Sequence, residues 1–464
     1  MHRTAVIDVV GLIGPMIDEA MPRLARFREQ GTITSIEPVL PALTCAAQST
    51  YLTGSMPAQH GIVANGWYNR EQAEVQFWKQ SNHLVSGRKI WEELAEQDKG
   101  FTCAKLFWWY NMYSTATWSI TPRPMYPADG RKVFDIYTGP MALRSEIKKD
   151  LGEFPFPTFW GPAAGMATPQ GSPDAASRWI AESAKWIEER HRPTLSLIYL
   201  PHLDYNLQRL GPTHPSVQND LRSIDAIVGD LIAFFQKRSI RVVILSEYGI
   251  TPVNQPIHLN RLFRKQGWLA IKEELGLELL DCGASRAFAV ADHQVAHIYV
   301  NDPGILKTVR KVLEGQAGIS GIFDREEQKT IGLDHPRSGD LVVFSEDQAW
   351  FTYYYWMDDA LAPDFARCVD IHRKPGYDPV ELFLDPGLKA PKLKIGWRLL
   401  QKKLGMRMLM DVIPLDATLV KGSHGTRPRD AAYFPVVLSD QKGLLPTGTI
   451  RPTEVYQLIK QHVI

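Results

Sequence analysis

The pattern of apolar and polar positions indicates alternating strands and helices through the first half of the chain. Short apolar runs alternate with longer stretches in which apolar residues recur at helical spacing, as in a parallel sheet with helices on both faces. We predict strands at Ala5–Val9, Thr102–Phe107, Leu195–Leu200 and Val242–Ser246. We predict helices at Ile90–Gln97, Ala175–Arg190 and Val217–Gln236. One face of the last helix is apolar and is predicted to be core: Leu221, Ile224, Val228, Leu231, Ile232 and Phe235.

The pattern changes after about residue 255. Residues 255–345 show short strands around one helix, predicted at Arg286–Val290, His297–Val300, Leu341–Phe344 and Ile305–Glu314. We therefore expect a core built from 1–254 and 346–464, with a small α+β portion at 255–345.

Composition places the chain among ordinary globular proteins. It has 464 residues, of which 44% are hydrophobic and 22% charged, and a net charge of +1 gives no overall field toward a nucleic acid polymer. Four scattered cysteines show no metal-ligand or redox spacing, which indicates buried reduced thiols. The beginning of the chain lacks a basic region before an apolar stretch of signal-peptide length, so we expect a cytoplasmic protein.

Residues 389–410 form a locally basic stretch with Ile395, Leu399, Leu400 and Leu404 among lysines and arginines. A solvated helix that covers the core is the favoured interpretation, because most charged surface helices are of this kind. There are two alternatives: the stretch makes peripheral contact with an anionic membrane, or it is a lid over an anionic substrate.

The segment Pro41–Gly66 carries the strongest chemical pattern. Thr44 precedes a helix-competent run that ends at Thr53-Gly54, and a threonine in this position is commonly an N-cap. Its surroundings favour another interpretation. Asp8 ends an apolar strand, where an α/β sheet presents its ligands, and His60-Gly61-Ile62 and Asn65 follow Thr44 in order.

These residues resemble the type I phosphodiesterase/nucleotide pyrophosphatase branch of the alkaline phosphatase superfamily. The resemblance implies an alkaline-phosphatase-like α/β core, a mostly parallel sheet sandwiched by helices, with a small α+β insertion. It also implies that Asp8 and a Thr44 nucleophile share one metal ion and that Asn65 contacts the phosphoryl oxygens.

Three further segments match the family's ligand pattern with departures. Asp204 and His424 match, whereas Gln208 and Tyr248 stand where the family has histidines and Glu247 replaces an aspartate. The implied ligand set is Asp8, Thr44, Asp204, Gln208, Glu247, Tyr248 and His424. Because His202 would alternate onto the same strand face as Asp204, it is one possible substitute ligand, and His258 is the other.

We therefore expect a hydrolase of phosphodiester or pyrophosphate bonds that works through a phospho-threonine intermediate and two divalent ions. The oxygen-rich ligand set favours Mn²⁺ or Mg²⁺, and Zn²⁺ stays open. The expected partner is a small-molecule phosphate ester. A phosphomonoesterase or phosphotransferase, a phosphoryl-ligand binding protein with a decayed metal site, and a surface-associated enzyme acting on phospholipid or prenyl phosphate are the alternatives.

Residues 107–160 are rich in aromatic residues and proline, an unusual length of irregular chain. Most of these rings are expected to pack the loop onto the sheet. One or two are expected to face a ligand beside the phosphate site, where they could stack a base or an apolar leaving group.

Overall fold

The computed structural model describes residues 1–168 and 171–464. Within these residues the strands are β1 (Thr4–Val9), β2 (Thr32–Ile36), β3 (Gly66–Asn69), β4 (Glu74–Phe77), β5 (Cys103–Leu106), β6 (Trp118–Pro122), β7 (Ile136–Gly139), β8 (Leu195–Leu200), β9 (Arg241–Leu245), β10 (Thr251–Pro252), β11 (Gln255–Ile257), β12 (Ala270–Glu274), β13 (Leu277–Asp281), β14 (Ala287–Asp292), β15 (Val295–Val300), β16 (Ile319–Asp324), β17 (Leu341–Ser345), β18 (Ala349–Phe351), β19 (Gly422–Ser423), β20 (Val436–Ser439) and β21 (Thr449–Ile450).

The α-helices in the same residues are α1 (Pro22–Gln30), α2 (Thr44–Thr53), α3 (Pro57–His60), α4 (Ile90–Gln97), α5 (Ala142–Leu151), α6 (Ala175–His191), α7 (His202–Leu210), α8 (Val217–Gln236), α9 (Leu259–Lys265), α10 (Leu306–Glu314), α11 (Arg325–Gln328), α12 (Pro391–Lys403) and α13 (Glu454–Val463). None of these helices combines the length and the apolarity that crossing a bilayer requires.

A nine-stranded sheet forms the centre of the fold, in the order β21-β2-β20-β9-β1-β8-β5-β6-β7. Strand β1 lies between β8 and β9 and pairs in parallel with both, so the three strands end at the same edge. All six residues of β1 are buried, as an apolar run covered on both faces should be. The predicted α/β architecture with a mostly parallel sheet is confirmed.

A second, four-stranded antiparallel sheet has the order β14-β15-β17-β16 and comes from within residues 287–345. The central sheet takes its strands from the chain on either side of this region. One continuous hydrophobic cluster includes residues of both sheets. The predicted division of the chain into a core (1–254 and 346–464) and a small α+β portion (255–345) stays a prediction.

Most predicted elements lie where periodicity placed them. Helices α4 and α8 have the predicted bounds, and the apolar stripe of α8 is buried. One local prediction is wrong. Residues 202–210 form α7 and not a strand continuation, so His202 and Asp204 do not share a face. Two residues in a helix are about 200° apart around the axis, whereas Asp204 and Gln208, four apart, face the same way.

Candidate active site

Two buried carboxylates lie side by side at the carboxyl edge of the central sheet. Asp8 is near the end of β1 and Glu247 follows β9, so the parallel pairing of these strands brings both side chains together. The Gln48 Nε2 atom of α2 lies 2.6 Å from Glu247 Oε1 and 3.4 Å from Asp8 Oδ2. Within the described residues, the other oxygens, Asp8 Oδ1 and Glu247 Oε2, have no hydrogen-bond partner.

Burial and mutual repulsion disfavour ionisation of both groups. Burial, and then the neighbouring Glu247, raises the pKa of Asp8 well above its usual range. Burial also raises the pKa of Glu247 to about 7, although the neighbouring polar groups of Asp8, Gln48 and Thr44 oppose this shift. Two adjacent buried carboxylates are stable when they share a proton or a cation. With their unpaired oxygens, they fit a divalent cation.

Thr44 is positioned as a reactive group and not as a helix cap. Leu43 is the N-cap residue of α2 and Thr44 is its first helical residue. The Thr44 Oγ1 atom lies 3.1 Å from the hydroxyl of Tyr248, and the residue lines a cavity at the sheet edge. The helix ends at Gly54, whose φ of 66° favours glycine.

Tyr248 connects Thr44 to Asp204. Its hydroxyl donates to Asp204 Oδ1 at 3.3 Å, so the Thr44 hydroxyl can donate to the Tyr248 oxygen. Burial, followed by the nearby Asp204 and Glu247 carboxylates, raises the pKa of Tyr248 well above 10, which keeps the phenol protonated. Burial raises the pKa of Asp204 to about 6. The three side chains therefore form a buried hydrogen-bond chain.

His424 lies against this hydrogen-bond chain. Its ring stacks on Tyr248 with centroids 3.6 Å apart and an angle of 5° between planes. Its Nδ1 atom is 2.8 Å from the carbonyl oxygen of Ala42, and its Nε2 atom is 4.0 Å from Asp204 Oδ1. Burial lowers the pKa of His424 well below its usual range, so the ring is neutral. A neutral ring that donates from Nδ1 directs its Nε2 lone pair toward Asp204, the arrangement of a metal-binding histidine.

His293 is a site residue that sequence reasoning missed. It lies in the turn between β14 and β15, is buried, and lines the same cavity. Its Nε2 atom is 3.1 Å from Gln208 Oε1, and its Nδ1 atom is 2.9 Å from Asp292 Oδ1. The available signal was the polar triplet Asp292-His293-Gln294 between two apolar strands, a pattern that normally indicates an exposed hairpin turn.

Asn65 lies between α2 and the hairpin that carries His293. Its Oδ1 atom accepts a hydrogen bond from the backbone N–H of Cys45 at 3.0 Å. Its backbone N–H donates to Asp292 Oδ2 at 2.9 Å, and its Nδ2 atom donates to the Tyr377 hydroxyl at 3.1 Å. The amide therefore has a fixed orientation at the cavity wall.

The two proposed substitute ligands are not brought to the site. His202 turns away on α7 and its Nε2 atom lies 3.0 Å from Asp220 Oδ1. His258 lies at the start of α9, where its Nδ1 atom is 2.7 Å from the Thr352 hydroxyl. Neither histidine lines the cavity that contains Thr44, Asp204 and His424. The prediction for His202 was wrong because residues 202–210 form a helix and not a strand.

Aromatic rings form the outer wall of the cavity. Trp109, Phe159 and Trp160 come from the aromatic-rich segment, three rings where one or two were expected, and they are joined by Trp78 and Tyr377. Trp78 and Trp109 have ring centroids 4.6 Å apart. Other rings of the segment pack among themselves, such as Phe107 against Phe154, as expected.

The polar groups fall into two pairs and not one dense cluster. In residues 1–168 and 171–464, no three His, Cys, Asp or Glu side chains come close enough together to hold a metal ion. Asp8 and Glu247 form one pair and Asp204 and His424 the other. The two pairs do not form one metal-binding group because Gln208 and Tyr248 stand where the family resemblance implies two further histidines.

Comparison with known proteins identifies the family. The type I phosphodiesterase / nucleotide pyrophosphatase model matches residues 4–378, well over half of the chain. The chain belongs to this family. The predicted membership is confirmed, and the family is one of phosphodiesterases and nucleotide pyrophosphatases.

Individual members of the family are distant from this chain. A pyrophosphatase/phosphodiesterase of Schizosaccharomyces pombe, described as uncharacterised, is 23% identical over 250 residues, which are 52% of this chain and 44% of that protein. The match thus spans less than half of the relative's length.

Solved structures of distant proteins share the fold of this chain. Murine ectonucleotide pyrophosphatase/phosphodiesterase 5 is 13% identical with a TM-score of 0.58, over 99% of this chain and 95% of its own. An inactive form of that protein was solved in complex with AMP. Phosphonoacetate hydrolase from Sinorhizobium meliloti 1021, in complex with phosphonoformate, is 14% identical with a TM-score of 0.60. The match covers 100% of this chain and 96% of that protein.

Proposed function

We propose that this protein is a metal-dependent hydrolase of phosphodiester or pyrophosphate bonds with Thr44 as its nucleophile. The observation that carries the proposal is the hydrogen-bond chain from Thr44 through Tyr248 to Asp204, beside a buried carboxylate pair. Thr44 lies in the first turn of α2, where helix N–H groups favour a negatively charged ligand. The ligands of the two solved relatives are small phosphate or phosphonate compounds, which agrees with a small-molecule substrate.

Asp8 and Glu247 would hold a divalent cation next to the Thr44 hydroxyl. A bound cation would supply Lewis acidity that lowers the pKa of this hydroxyl and neutralises charge on the phosphoryl group. The oxygen donors favour Mn²⁺ or Mg²⁺ over Zn²⁺. Asp204 and His424 are the two ligands available for the second ion that the sequence predicts. Gln208 contacts His293, and Tyr248 is protonated, so neither residue completes a second ion site. We therefore propose that only the ion held by Asp8 and Glu247 binds tightly.

The proton path follows the observed hydrogen bonds. Thr44 passes its proton to the Tyr248 oxygen while Tyr248 passes its own proton to Asp204. The Thr44 oxygen forms a bond to phosphorus, and the bond from phosphorus to the leaving oxygen breaks; that oxygen takes a proton from water. The hydroxide left from that water attacks the phospho-threonine. The bond from phosphorus to the Thr44 oxygen breaks, and Thr44 regains its proton from Asp204 by the reverse path.

Asn65 and His293 would stabilise the phosphoryl group. Both line the cavity next to Thr44, and hydrogen-bond contacts with Asp292 position both side chains. Asn65 Nδ2 contacts the Tyr377 hydroxyl, and His293 Nε2 contacts Gln208. We propose that, when substrate binds, both atoms exchange these contacts for phosphoryl oxygens, so that His293 replaces the imidazole absent at position 208. Fixed donors of this kind act most strongly on charge that develops in the transition state.

A phosphoryl-ligand binding protein without turnover is the second candidate, favoured by the loss of two imidazoles at positions 208 and 248. A comparison of Thr44→Ala with Thr44→Ser, on aryl phosphodiester and aryl phosphomonoester substrates with Mn²⁺, Mg²⁺ or Zn²⁺, separates the functions. We expect diester hydrolysis that EDTA abolishes and added metal restores. We also expect about a 10³-fold loss in Thr44→Ala and a much smaller loss in Thr44→Ser.

Elemental analysis of the purified protein completes the test, with one tightly bound ion per chain as the expected result. Unchanged turnover in Thr44→Ala would refute the nucleophile. A preference for the monoester would make the protein a phosphomonoesterase. Phosphate binding without turnover under any metal would make it a binding protein.

A further inference from the structure

The helix α12 (Pro391–Lys403) is packed with its polar side toward the protein. No residue of this helix is buried. The Lys394 Nζ and Arg398 Nη2 atoms lie 2.9 Å and 3.0 Å from the carboxylate oxygens of Asp411. The Lys402 ammonium lies 4.8 Å from the centre of the Phe134 ring. Ion pairs and a cation–π contact therefore hold the helix to the body, in place of the apolar contacts of an ordinary surface helix.

The apolar side of α12 and the residue that follows it faces solvent. Leu393, Trp397, Leu400 and Leu404 are 77%, 57%, 46% and 67% exposed. Their spacing of four, three and four residues places them on one stripe of the helix. We call these four residues the apolar stripe. This arrangement excludes the favoured sequence-based interpretation, in which the apolar side covers the core.

The exposed apolar surface is concentrated here and not spread over the molecule. Of the seventeen large hydrophobic residues that are exposed in the described chain, seven lie between residues 393 and 409. Scattered single residues need no explanation, whereas a contiguous exposed apolar patch marks an interaction surface.

Every charged side chain between residues 389 and 410 is positive. Residues 389–410 contain seven lysines and arginines and no aspartate or glutamate. Lys389, Lys392 and Lys403 are exposed, and none of them pairs with a carboxylate of the described residues. We call these three residues the lysine flank. A second copy of the chain docked through the same face would oppose two such positive surfaces, which disfavours a two-fold dimer.

We propose that the apolar stripe and the lysine flank bind the surface of an anionic lipid bilayer. An amphipathic helix binds there by burying its apolar side at the boundary of headgroups and acyl chains, while its lysines meet the negative surface potential. Trp397 lies in the middle of the stripe, and tryptophan is enriched at membrane interfaces. This inference is independent of the proposed phosphoryl chemistry.

Co-sedimentation of the full chain with vesicles tests the proposal. Vesicles of phosphatidylcholine alone are compared with vesicles that contain about one third phosphatidylserine, at low and high salt. We expect binding to the phosphatidylserine vesicles that is at least about tenfold stronger than to phosphatidylcholine and that weakens with salt. Equal binding to the two vesicle types, or no binding to either, would overturn the proposal; in the second case the face would belong to a protein partner or to none.

Variants assign any binding to the proposed face. Trp397→Gln combined with Leu400→Gln should lose at least about tenfold in affinity, because both side chains leave the bilayer. Lys392→Glu combined with Lys403→Glu should lose the preference for phosphatidylserine. The matched control is Leu275→Gln, a change at a residue that is 102% exposed in the turn between β12 and β13, and it should bind as the unchanged chain does. Circular dichroism verifies folding, and undiminished binding by the Trp397/Leu400 variant would refute the assignment.

Discussion

At the scale of single residues, Tyr248 is the most informative departure from the family pattern. It stands where the family resemblance implies a metal-binding histidine, yet its ring stacks on His424 and its hydroxyl joins Thr44 to Asp204. A phenol of raised pKa is a poor metal ligand and a good hydrogen-bond donor. In the proposed mechanism, position 248 therefore carries a proton relay in place of the ligand that the resemblance implies.

Tyr248→Phe removes the hydroxyl and keeps the stacked ring. We expect kcat to fall by about 10²-fold, because the relay from Thr44 to Asp204 is broken. Asp204 must be ionised to accept the proton, so the kcat/KM of the unchanged enzyme should rise with pH through about 6 and then level off. The Tyr248 hydrogen bond lowers the pKa of Asp204. Without it, the rising limb should therefore move to higher pH.

The measurement is a profile of kcat/KM between about pH 5 and 9 for both proteins, with the cation at saturation. Melting curves at each pH verify that folding does not cause the change. An unchanged kcat and an unchanged rise of kcat/KM with pH in Tyr248→Phe would show that the proton leaves Thr44 by another route. Glu247 is the neighbouring group that could then accept it.

At the scale of elements, the hairpin of β14 and β15 contributes to the site from a distant part of the sequence. Its turn places His293 at a φ of 56°, a backbone conformation that is uncommon outside glycine, asparagine and aspartate. Asp292 contacts both His293 and Asn65, so one turn positions two cavity residues. Such strain is commonly retained where geometry at a site requires it.

His293→Asn removes the imidazole with a residue that accepts positive φ. We expect kcat/KM to fall by about 10- to 100-fold with little loss of stability, because the turn is preserved. Gln294→Ala in the same turn is the matched control. Its Nε2 atom donates to the carbonyl oxygens of Asp347 and Ala349, so its removal should cost about 1–3 kcal/mol in the free energy of unfolding and leave kcat/KM unchanged. Equal kinetic effects of the two changes would indicate that His293 acts only through the fold.

At the scale of the whole molecule, the segment that follows α3 packs against the second sheet. Tyr68 of β3 has ring centroids 4.9 Å from Phe288 and 5.2 Å from Tyr299, both in the second sheet. His297 of that sheet has its Nε2 atom 3.1 Å from the carbonyl oxygen of Val63. Because one hydrophobic cluster includes both sheets, we expect them to unfold together.

Urea unfolding followed by circular dichroism and by tryptophan fluorescence should therefore show a single transition with one midpoint. Tyr68→Ala should lower the free energy of unfolding by about 3 kcal/mol and shift both probes equally, since it removes a buried ring that packs on the second sheet. Two separate transitions, or a shift in only one probe, would show that residues 255–345 form an independent folding unit.

Periodicity predicted much of the fold because the type and the bounds of an element depend on neighbouring residues. Helix α8 and strand β8 have the predicted bounds, since a stripe at helical spacing and a run of buried residues are local properties. The prediction failed at His202, where the sequence after β8 was interpreted as a strand and is a helix. In the site, motif spacing named Asp8, Thr44, Asp204 and His424, all of which lie around the sheet edge.

The sequence by itself determined the family, the order of strands and helices, and the residues whose chemistry depends on a local motif. Only the tertiary structure decided that His293 enters the site from the second sheet, that Tyr248 joins Thr44 to Asp204, and that α12 presents its apolar side to solvent. The physical reason is distance along the chain. Helical and strand periods arise between neighbouring residues, whereas the face of an element that is buried depends on segments hundreds of positions away.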